Sequence, residues 1–295
     1  MALARGFWHS GRLQTMKTIR ASDLGPRIES LCLEISAVLP QDVLEALSRA
    51  RQNEKSESAR KVIDLIIENA RVAGEIGVPL CQDTGMFTVF LTLGGDACLE
   101  GDLEVEAARA VARATAGGVL RPSVVADPVD GRVNTGDNTP PLVEVDVAFG
   151  GQSTLAVMAK GGGCENASRL GMLPAGAGWP GVLRFVRDVA AEVGACACPP
   201  LVLGVGIGGS FDRAPKLAKK SLLETLDREN PDPVTAARER EVVDEVNRLG
   251  FGPGALGGTV TCIGARIASA PCHMATLPVA VSVNCHELRR KVIPI

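Results

Sequence analysis

Residues 142–160 read LVEVDVAFGGQSTLAVMAK and contain two short apolar stretches separated by a pair of glycines. Over residues 142–149 valine alternates with glutamate and aspartate, and this period of two predicts a strand with one solvent-exposed face. Residues 154–159 predict a second strand, and Gly150 and Gly151 predict a hairpin turn between the two. An antiparallel pair among strands that are otherwise separated by helices favours an α+β fold over a doubly wound parallel sheet.

The flanking sequence extends this pattern in both directions. Residues 41–76 are helical in composition and predict a helical cap, and residues 87–93 predict a buried strand. The later predicted elements are helices over 102–116, 180–193, 215–227 and 234–249, and strands over 199–207, 259–268 and 277–284. We therefore predict one large α+β domain over residues 17–295, with a mixed sheet, a helical N-terminal cap and flanking helices. Residues 1–16 are predicted to be a disordered N-terminal extension.

Composition excludes several classes of function. The 295 residues carry a net charge of −3, and only 3% of them are aromatic, with no tyrosine. This balance argues against nucleic acid as a partner, which usually requires a basic surface and stacking platforms. No apolar run reaches the ~18 residues of a membrane helix, so we expect no membrane association. Nine cysteines without a secretory signal favour a reducing, cytoplasmic location.

Common catalytic motifs are absent from the sequence, with one partial exception. The three histidines form no HExxH motif, and the chain has no GxSxG elbow or P-loop. Residues 204–209, GVGIGG, match the GxGxxG dinucleotide fingerprint after a predicted strand, which keeps a nicotinamide-dependent dehydrogenase open as an alternative. The match lies far from the start of the domain, and Glu224, at the spacing of a ribose-binding acid, lies in a predicted helix.

The cysteines differ in their sequence surroundings. Cys81, Cys198 and Cys285 each lie at a strand or loop junction beside polar or glycine-rich sequence. Their separations match neither local zinc motifs nor ferredoxin runs, so they could bind one cofactor only if the fold brings them together. Three others lie in apolar stretches and are predicted to be ordinary core thiols: Cys32, Cys98 and Cys262.

Five motifs in order along the chain resemble the signatures of class I, iron-sulfur fumarate hydratases and L(+)-tartrate dehydratases. They are LCQDTG at 80–85, RVNTGDNTP at 132–140, KGGGCEN at 160–166, GIGG at 206–209 and LPVAVSVNCH at 277–286. The resemblance runs from about residue 17 to the C-terminus and corresponds to the alpha subunit, or to the N-terminal domain of one-chain relatives. Cys164 and Cys272 depart from the family pattern, which has serine and threonine at these positions, and each is expected to add a thiol near the inferred site.

The resemblance implies a 4Fe-4S cluster held by Cys81, Cys198 and Cys285, with one iron that has no cysteine ligand. Such an iron would act as a Lewis acid in the reversible hydration of fumarate to (S)-malate. Cys196 and Cys164 remain alternative ligands, because each is close in sequence to a family motif.

The resemblance also implies the residues that handle substrate. Asp83 would exchange a proton with the leaving water, with a turn cap in the DTG sequence as the lesser alternative. The implied substrate contacts are Gln82, Arg121, Gly162, Gly163 and His273. We interpret the polar side chains of residues 134–138 as hydrogen bonders that fix a long loop.

The family arrangement implies a partner as well. Relatives carry further active-site residues on a second domain or subunit, so we expect a beta subunit and an alpha2beta2 assembly. The main functional hypothesis is the alpha subunit of a fumarate hydratase, and L(+)-tartrate dehydration to oxaloacetate is the alternative. A non-catalytic iron-sulfur sensor is a further possibility.

Overall fold

The computed structural model describes residues 16–295, so the extension predicted over residues 1–16 lies, except for Met16, outside the described part of the chain. In this part the α-helices are α1 Ala21–Ala37, α2 Gln41–Asn53, α3 Glu57–Ile76, α4 Leu103–Ala116, α5 Gly162–Asn166, α6 Gly178–Val193, α7 Arg213–Ser221 and α8 Pro233–Asn247. The strands are β1 Lys17–Arg20, β2 Met86–Gly94, β3 Ala97–Glu100, β4 Leu142–Ala148, β5 Thr154–Lys160, β6 Arg169–Leu173, β7 Leu201–Gly208, β8 Cys262–Ala270, β9 Leu277–Asn284 and β10 Arg289–Pro294. None of these helices is both long enough and apolar enough to cross a membrane.

The α+β prediction is confirmed, but the strands form two mixed four-stranded sheets and a short two-stranded one. Sheet 1 has the order β10-β5-β2-β4, sheet 2 has the order β6-β9-β7-β8, and β1 pairs with β3. The chain crosses between the two large sheets twice, from β5 through α5 to β6 and from β9 directly to β10.

The hairpin predicted between β4 and β5 is wrong. Strand β2 lies between them, parallel to β4 and antiparallel to β5. The reason is burial, because β2 is buried on both faces and needs a neighbour on each edge, whereas β4 is only partly buried and lies at the sheet edge. The residue pattern located both strands, but it is Val145 and Val147 of β4 that are exposed, whereas Glu144 and Asp146 form ion pairs with lysines of α7.

Three large cores and one small one, between α7 and β9, hold the layers together. Helices α1 and α4 cover one face of sheet 1 through residues such as Phe87 and Val89. Helices α6 and α8 cover one face of sheet 2. The third core joins the sheets, since it combines α2 and α3 with Phe90 and Met158 of sheet 1 and Val202 of sheet 2.

The GVGIGG motif is explained by packing in sheet 2. Gly204 and Gly206 lie inside β7, and a Cβ atom on either would come within 2.1 Å of a backbone oxygen of α7. A dinucleotide fingerprint instead places its glycines in the turn between strand and helix. The structure therefore gives the nicotinamide alternative no support.

Candidate active site

The candidate site lies where four chain segments meet at one end of the two sheets. The start of β2 pairs with the end of β5, and the start of β10 lies next to it. The end of β9 pairs with the start of β7. This register places the loop before β2, helix α5, the segment before β7 and the connection between β9 and β10 side by side.

Five cysteines gather on these segments. They are Cys81, Cys164, Cys196, Cys198 and Cys285. The thiols of Cys164 and Cys285 are close enough to interact, and this interaction lowers the pKa of Cys164 and raises that of Cys285. Burial, followed by the neighbouring Cys164 and Cys81, raises the pKa of Cys198. The thiols from distant parts of the sequence thus lie within electrostatic range of one another.

Backbone contacts fix the segments that carry these thiols. The Nδ1 atom of His286 lies 3.0 Å from the carbonyl oxygen of Cys198, so this nitrogen donates the hydrogen bond. The contact joins the Cys285 segment to the Cys198 segment. Cys198 itself has a left-handed backbone (φ 53°), a conformation uncommon for a residue with a side chain.

Asp83 ties the loop before β2 to the start of α5. Its Oδ1 accepts a hydrogen bond from the Gly85 N–H (2.9 Å) and its Oδ2 one from the Gly162 N–H (2.8 Å). A Cβ at residue 161 would lie 2.9 Å from Asp83 Oδ2, so a larger residue there would displace this carboxylate. The first of these bonds is the DTG turn cap, and the second is a long-range contact that the turn does not need.

A buried lysine supports α5 from beneath. The Lys160 side chain is fully buried, and its Nζ donates to the Cys164 carbonyl (3.2 Å), to Glu165 (3.1 Å) and to Ser168 (2.7 Å). Burial lowers the pKa of Lys160, and the carboxylate of Glu165 opposes this shift. The network fixes the turn that carries Gly162, Gly163 and Cys164.

The other predicted substrate residues occupy two different ends of the molecule. Gln82 is exposed between Cys81 and Asp83, and Gly163 lies beside the Cys196 carbonyl. Arg121 is exposed on the loop that leads into β4, at the same end of sheet 1 as Asp83. His273 instead precedes β9, whereas Cys285 follows it, so the two are separated by the whole strand, about 23 Å at ~3.3 Å per residue.

The extra thiol at Cys272 shares the position of His273. Cys272 donates to the Thr276 carbonyl in the exposed β8–β9 loop, so within one chain it adds no thiol near the cysteines, contrary to expectation. Cys164 does add a thiol to the group of five cysteines, since it lies next to Cys285.

The predicted core thiols and loop-fixing residues are largely confirmed. Cys32 and Cys262 are buried, and burial raises the pKa of Cys262 to about 12, whereas Cys98 is only half-buried. Asn138 is fully buried in the 121–141 loop, accepting from the Ser123 N–H and donating to Thr115 and to the Arg121 carbonyl.

The side chains present fit a negatively charged group bound beside the thiols. Among residues 16–295 no group of three or more His, Cys, Asp or Glu side chains is placed to hold a metal ion. Arg289 is 3% exposed at this end of sheet 1, and its Nε and Nη1 have no hydrogen-bond partner within the described chain. A buried cation beside thiols is what a negatively charged group would require.

Sequence reasoning missed Arg289 and Lys160. Lys160 is the first residue of the KGGGCEN motif, but the motif predicted no role for it. Arg289 follows the last motif by three residues. A basic residue at the start of a strand usually indicates a solvated position. Only the pairing of β10 with β5 shows that Arg289 is covered.

A cavity of about 810 Å³ lies elsewhere in the fold. Its lining includes Thr92 and Thr154, at the end of β2 and the start of β5, together with Arg266 of β8. These strand positions are at the opposite end of sheet 1 from Asp83. Size alone therefore does not identify the candidate active site.

Comparison with known proteins agrees with this geometry. A family profile described as fumarate hydratase (Fumerase) matches residues 26–294. A Methanocaldococcus jannaschii protein named "Putative L(+)-tartrate dehydratase subunit alpha" is 38% identical over 271 residues, covering 90% of this chain and 95% of that protein. The L(+)-tartrate dehydratase subunit alpha of Escherichia coli K12 is 33% identical over 258 residues, covering 87% and 85%.

The chain belongs to the fumarate hydratase (Fumerase) family, whose members are hydro-lyases. Within this family, the two relatives described above are named as alpha subunits of L(+)-tartrate dehydratase, the first of them as putative.

Proposed function

We propose that residues 17–295 form the catalytic domain of the alpha subunit of a 4Fe-4S hydro-lyase that interconverts fumarate and (S)-malate. The observation that carries the proposal is the convergence of Cys81, Cys198 and Cys285 beside Asp83, from three segments far apart in sequence. The family match supports the same reaction class. The nine cysteines are all free, which supports a reducing compartment such as the cytoplasm.

The proposed cluster leaves proton transfer to the protein, and Asp83 is the proposed residue for this role. When bound, a cluster with one iron free of cysteine would supply a Lewis acid for the substrate hydroxyl and carboxylate. Asp83 would hold the proton that the leaving hydroxyl takes up in dehydration and would accept one from water in hydration. Each of its oxygens accepts one backbone N–H and keeps a further lone pair, so the turn contact and proton transfer are compatible.

Substrate carboxylates need donors at the same end of the molecule. Gln82 and Arg121 are exposed there, and Arg121 suits a bidentate carboxylate contact. The Gly162 N–H is already bound to Asp83, so we propose that Gly163 and Gly162 act by allowing close approach of the substrate. His273 would reach the site only from another chain.

A second candidate substrate is L(+)-tartrate, which would be dehydrated to oxaloacetate. It is favoured by the names of the relatives. Those names also support a beta subunit as the partner of this chain, and we propose an alpha2beta2 complex. Both dicarboxylates would present a carboxylate and a hydroxyl in the same way.

The deciding experiment is a substrate panel on the complex, reconstituted with iron and sulfide under anaerobic conditions. We expect fumarate hydration and malate dehydration at enzyme-like rates. Robust tartrate turnover with negligible fumarate hydration would replace the first substrate by the second. No turnover of any dicarboxylate by a cluster-loaded complex would favour an iron-sulfur sensor.

The ligand assignment is tested separately by serine variants of Cys81, Cys198 and Cys285. Serine oxygen is a poor substitute for soft thiolate, so each variant should fail to retain iron. Cys98→Ser, on half-buried β3, is the matched control and should retain it. Cys164→Ser and Cys196→Ser distinguish the alternative ligands, because loss of iron in either would move the assignment to that residue.

A further inference from the structure

Two adjacent arginines at the start of β10 differ in their surroundings. Successive residues of a strand face opposite sides of the sheet, so Arg289 and Arg290 point in opposite directions. Both are at least 95% buried. Arg290 is well paired, since Nε donates to the Leu222 carbonyl (2.6 Å) and Nη2 donates to Asp42 (2.6 Å).

Arg289 lacks such partners. Its Nε and Nη1 are inaccessible to solvent and form no hydrogen bond within residues 16–295. Arginine stays protonated in proteins, so burial cannot be relieved by loss of the proton. An unpaired buried guanidinium is strongly unfavourable, and its retention calls for an anionic partner.

The position of Arg289 identifies where that partner lies. A Cβ atom on Gly161 would lie 3.9 Å from Arg289 Nη2, so the guanidinium is next to the start of α5. The same Cβ would lie 2.9 Å from Asp83 Oδ2, so the guanidinium and this carboxylate both adjoin the start of α5. Arg289 pairs with Ala159 at the end of β5 and follows Cys285 by four residues. The guanidinium therefore lies at the end of sheet 1 where the segments that carry Cys164 and Cys285 meet.

We propose that Arg289 is a binding and positioning residue for the cluster, whose sulfur atoms or thiolate ligands accept hydrogen bonds from Nε–H and Nη1–H. The inference rests on the proposed function. It adds a cationic contact to the three thiolate ligands. Hydrogen bonds to sulfur and nearby charge are recognised determinants of cluster potential.

The test compares Arg289→Met with Arg290→Met in the anaerobically reconstituted full chain. For Arg289→Met we expect iron loss to a chelator to be about 10-fold to 100-fold faster, the range typical of partners that support metal ligands. We also expect a more negative reduction potential, because removing a positive charge disfavours the added electron. Arg290→Met should lower the thermal unfolding midpoint and leave the potential unchanged.

The outcomes separate this inference from its competitors. Unchanged iron retention and potential in Arg289→Met, with a raised KM for the dicarboxylate, would assign Arg289 to the substrate carboxylate instead. Faster iron loss without a change in potential, and with an unfolding midpoint as low as that of Arg290→Met, would show a structural role only. If Arg289→Met is insoluble, Arg289→Lys replaces it. This variant should have nearly the same reduction potential but lose iron faster, because lysine keeps the charge and not the planar fork of the guanidinium. An iron-loss rate equal to that of the unmodified chain would overturn the proposal. Failure of the unmodified chain to take up a cluster would refute the proposed function itself.

Discussion

Asp83 occupies a position where one carboxylate meets two backbone segments. Its two oxygens accept hydrogen bonds from Gly85 within the turn and from Gly162 across the site. The turn cap alone would be satisfied by the Gly85 contact. The contact to Gly162 fixes the carboxylate next to the segment that carries Cys164, and this placement connects a local turn to the chemistry of the site.

Asp83→Asn should lower kcat by about 10² to 10⁴, the usual contribution of a positioned general acid or base. Iron content should stay unchanged, since the amide oxygen can still cap the turn at Gly85 and the three proposed thiolate ligands are untouched, although the contact to the Gly162 N–H is lost. Asp102→Asn is the matched control: Asp102 caps α4 through the Val105 N–H, and asparagine is an equally good cap. Turnover and bound iron are measured together, and loss of iron in step with activity would reduce Asp83 to a structural residue.

At the scale of elements, a buried carboxylate joins the α2–α3 connection to the segment before β8. Glu54 is 3% exposed and accepts hydrogen bonds from the Ser56, Thr259 and Val260 N–H groups. Burial alone raises the pKa of Glu54, but these bonds outweigh it, and the pKa lies below its ordinary value. The ionised form is therefore the one that the fold stabilises.

This shift makes part of the stability dependent on pH. A carboxyl group whose pKa is lower in the folded state stabilises it above the unfolded pKa, about 4.3 for glutamate, and that contribution is lost as pH falls through the folded pKa. Glu54→Gln should cost about 1–3 kcal/mol at pH 7 and show a smaller loss of stability on acidification below about pH 4.3. Urea unfolding across pH measures both, with the exposed Glu45→Gln as control. Parallel pH profiles for Glu54→Gln and the unmodified chain would contradict the assignment.

The glycines of β7 permit a helix to lie directly on the strand. A Cβ on Gly204 would come within 2.1 Å of the Ala218 carbonyl oxygen in α7. Gly204→Ala should destabilise the chain by about 1–3 kcal/mol through overpacking. Gly176→Ala is the control, because a Cβ there meets nothing within 4 Å. Thermal unfolding distinguishes the two, and equal midpoints would show that α7 can move away from β7.

The same elements show what the sequence could and could not predict. Local periodicity predicted most strands and helices between residues 41 and 284, because burial on one face is a local property. It missed α1, which contains Gly25 and Pro26, and β10, which begins with two arginines. The predicted β4–β5 pairing is wrong because the neighbours of a strand depend on how deeply both of its edges are buried, and a local sequence pattern does not contain that information. The candidate site cysteines were predicted through resemblance to a family, and their role stays a prediction, while the burial of Arg289 could be seen only in the fold.

For the whole molecule, the candidate site lies on an open end of the two sheets. Cys196 and Cys198 are exposed, as are Gln82 and Arg121. An iron without a protein ligand at such an end would be reachable by water and oxidants. A second subunit over this end would exclude them and supply the base that removes the carbon-bound proton.

We therefore expect the isolated chain to bind a cluster. Its turnover of dicarboxylate should be at least about 10²-fold slower than that of its complex with a beta subunit, because loss of a general base alone lowers a rate by about that factor. Iron content should be the same with and without the partner, since the three proposed thiolate ligands are on this chain. The measurement is iron per chain and kcat for the chain alone, for the beta subunit alone and for the mixture. Bound iron should also be lost to air more slowly in the mixture, because the open end is covered. Full turnover by the isolated chain would refute the shared site, and iron uptake that depends on the partner would move part of the cluster ligation to the second subunit.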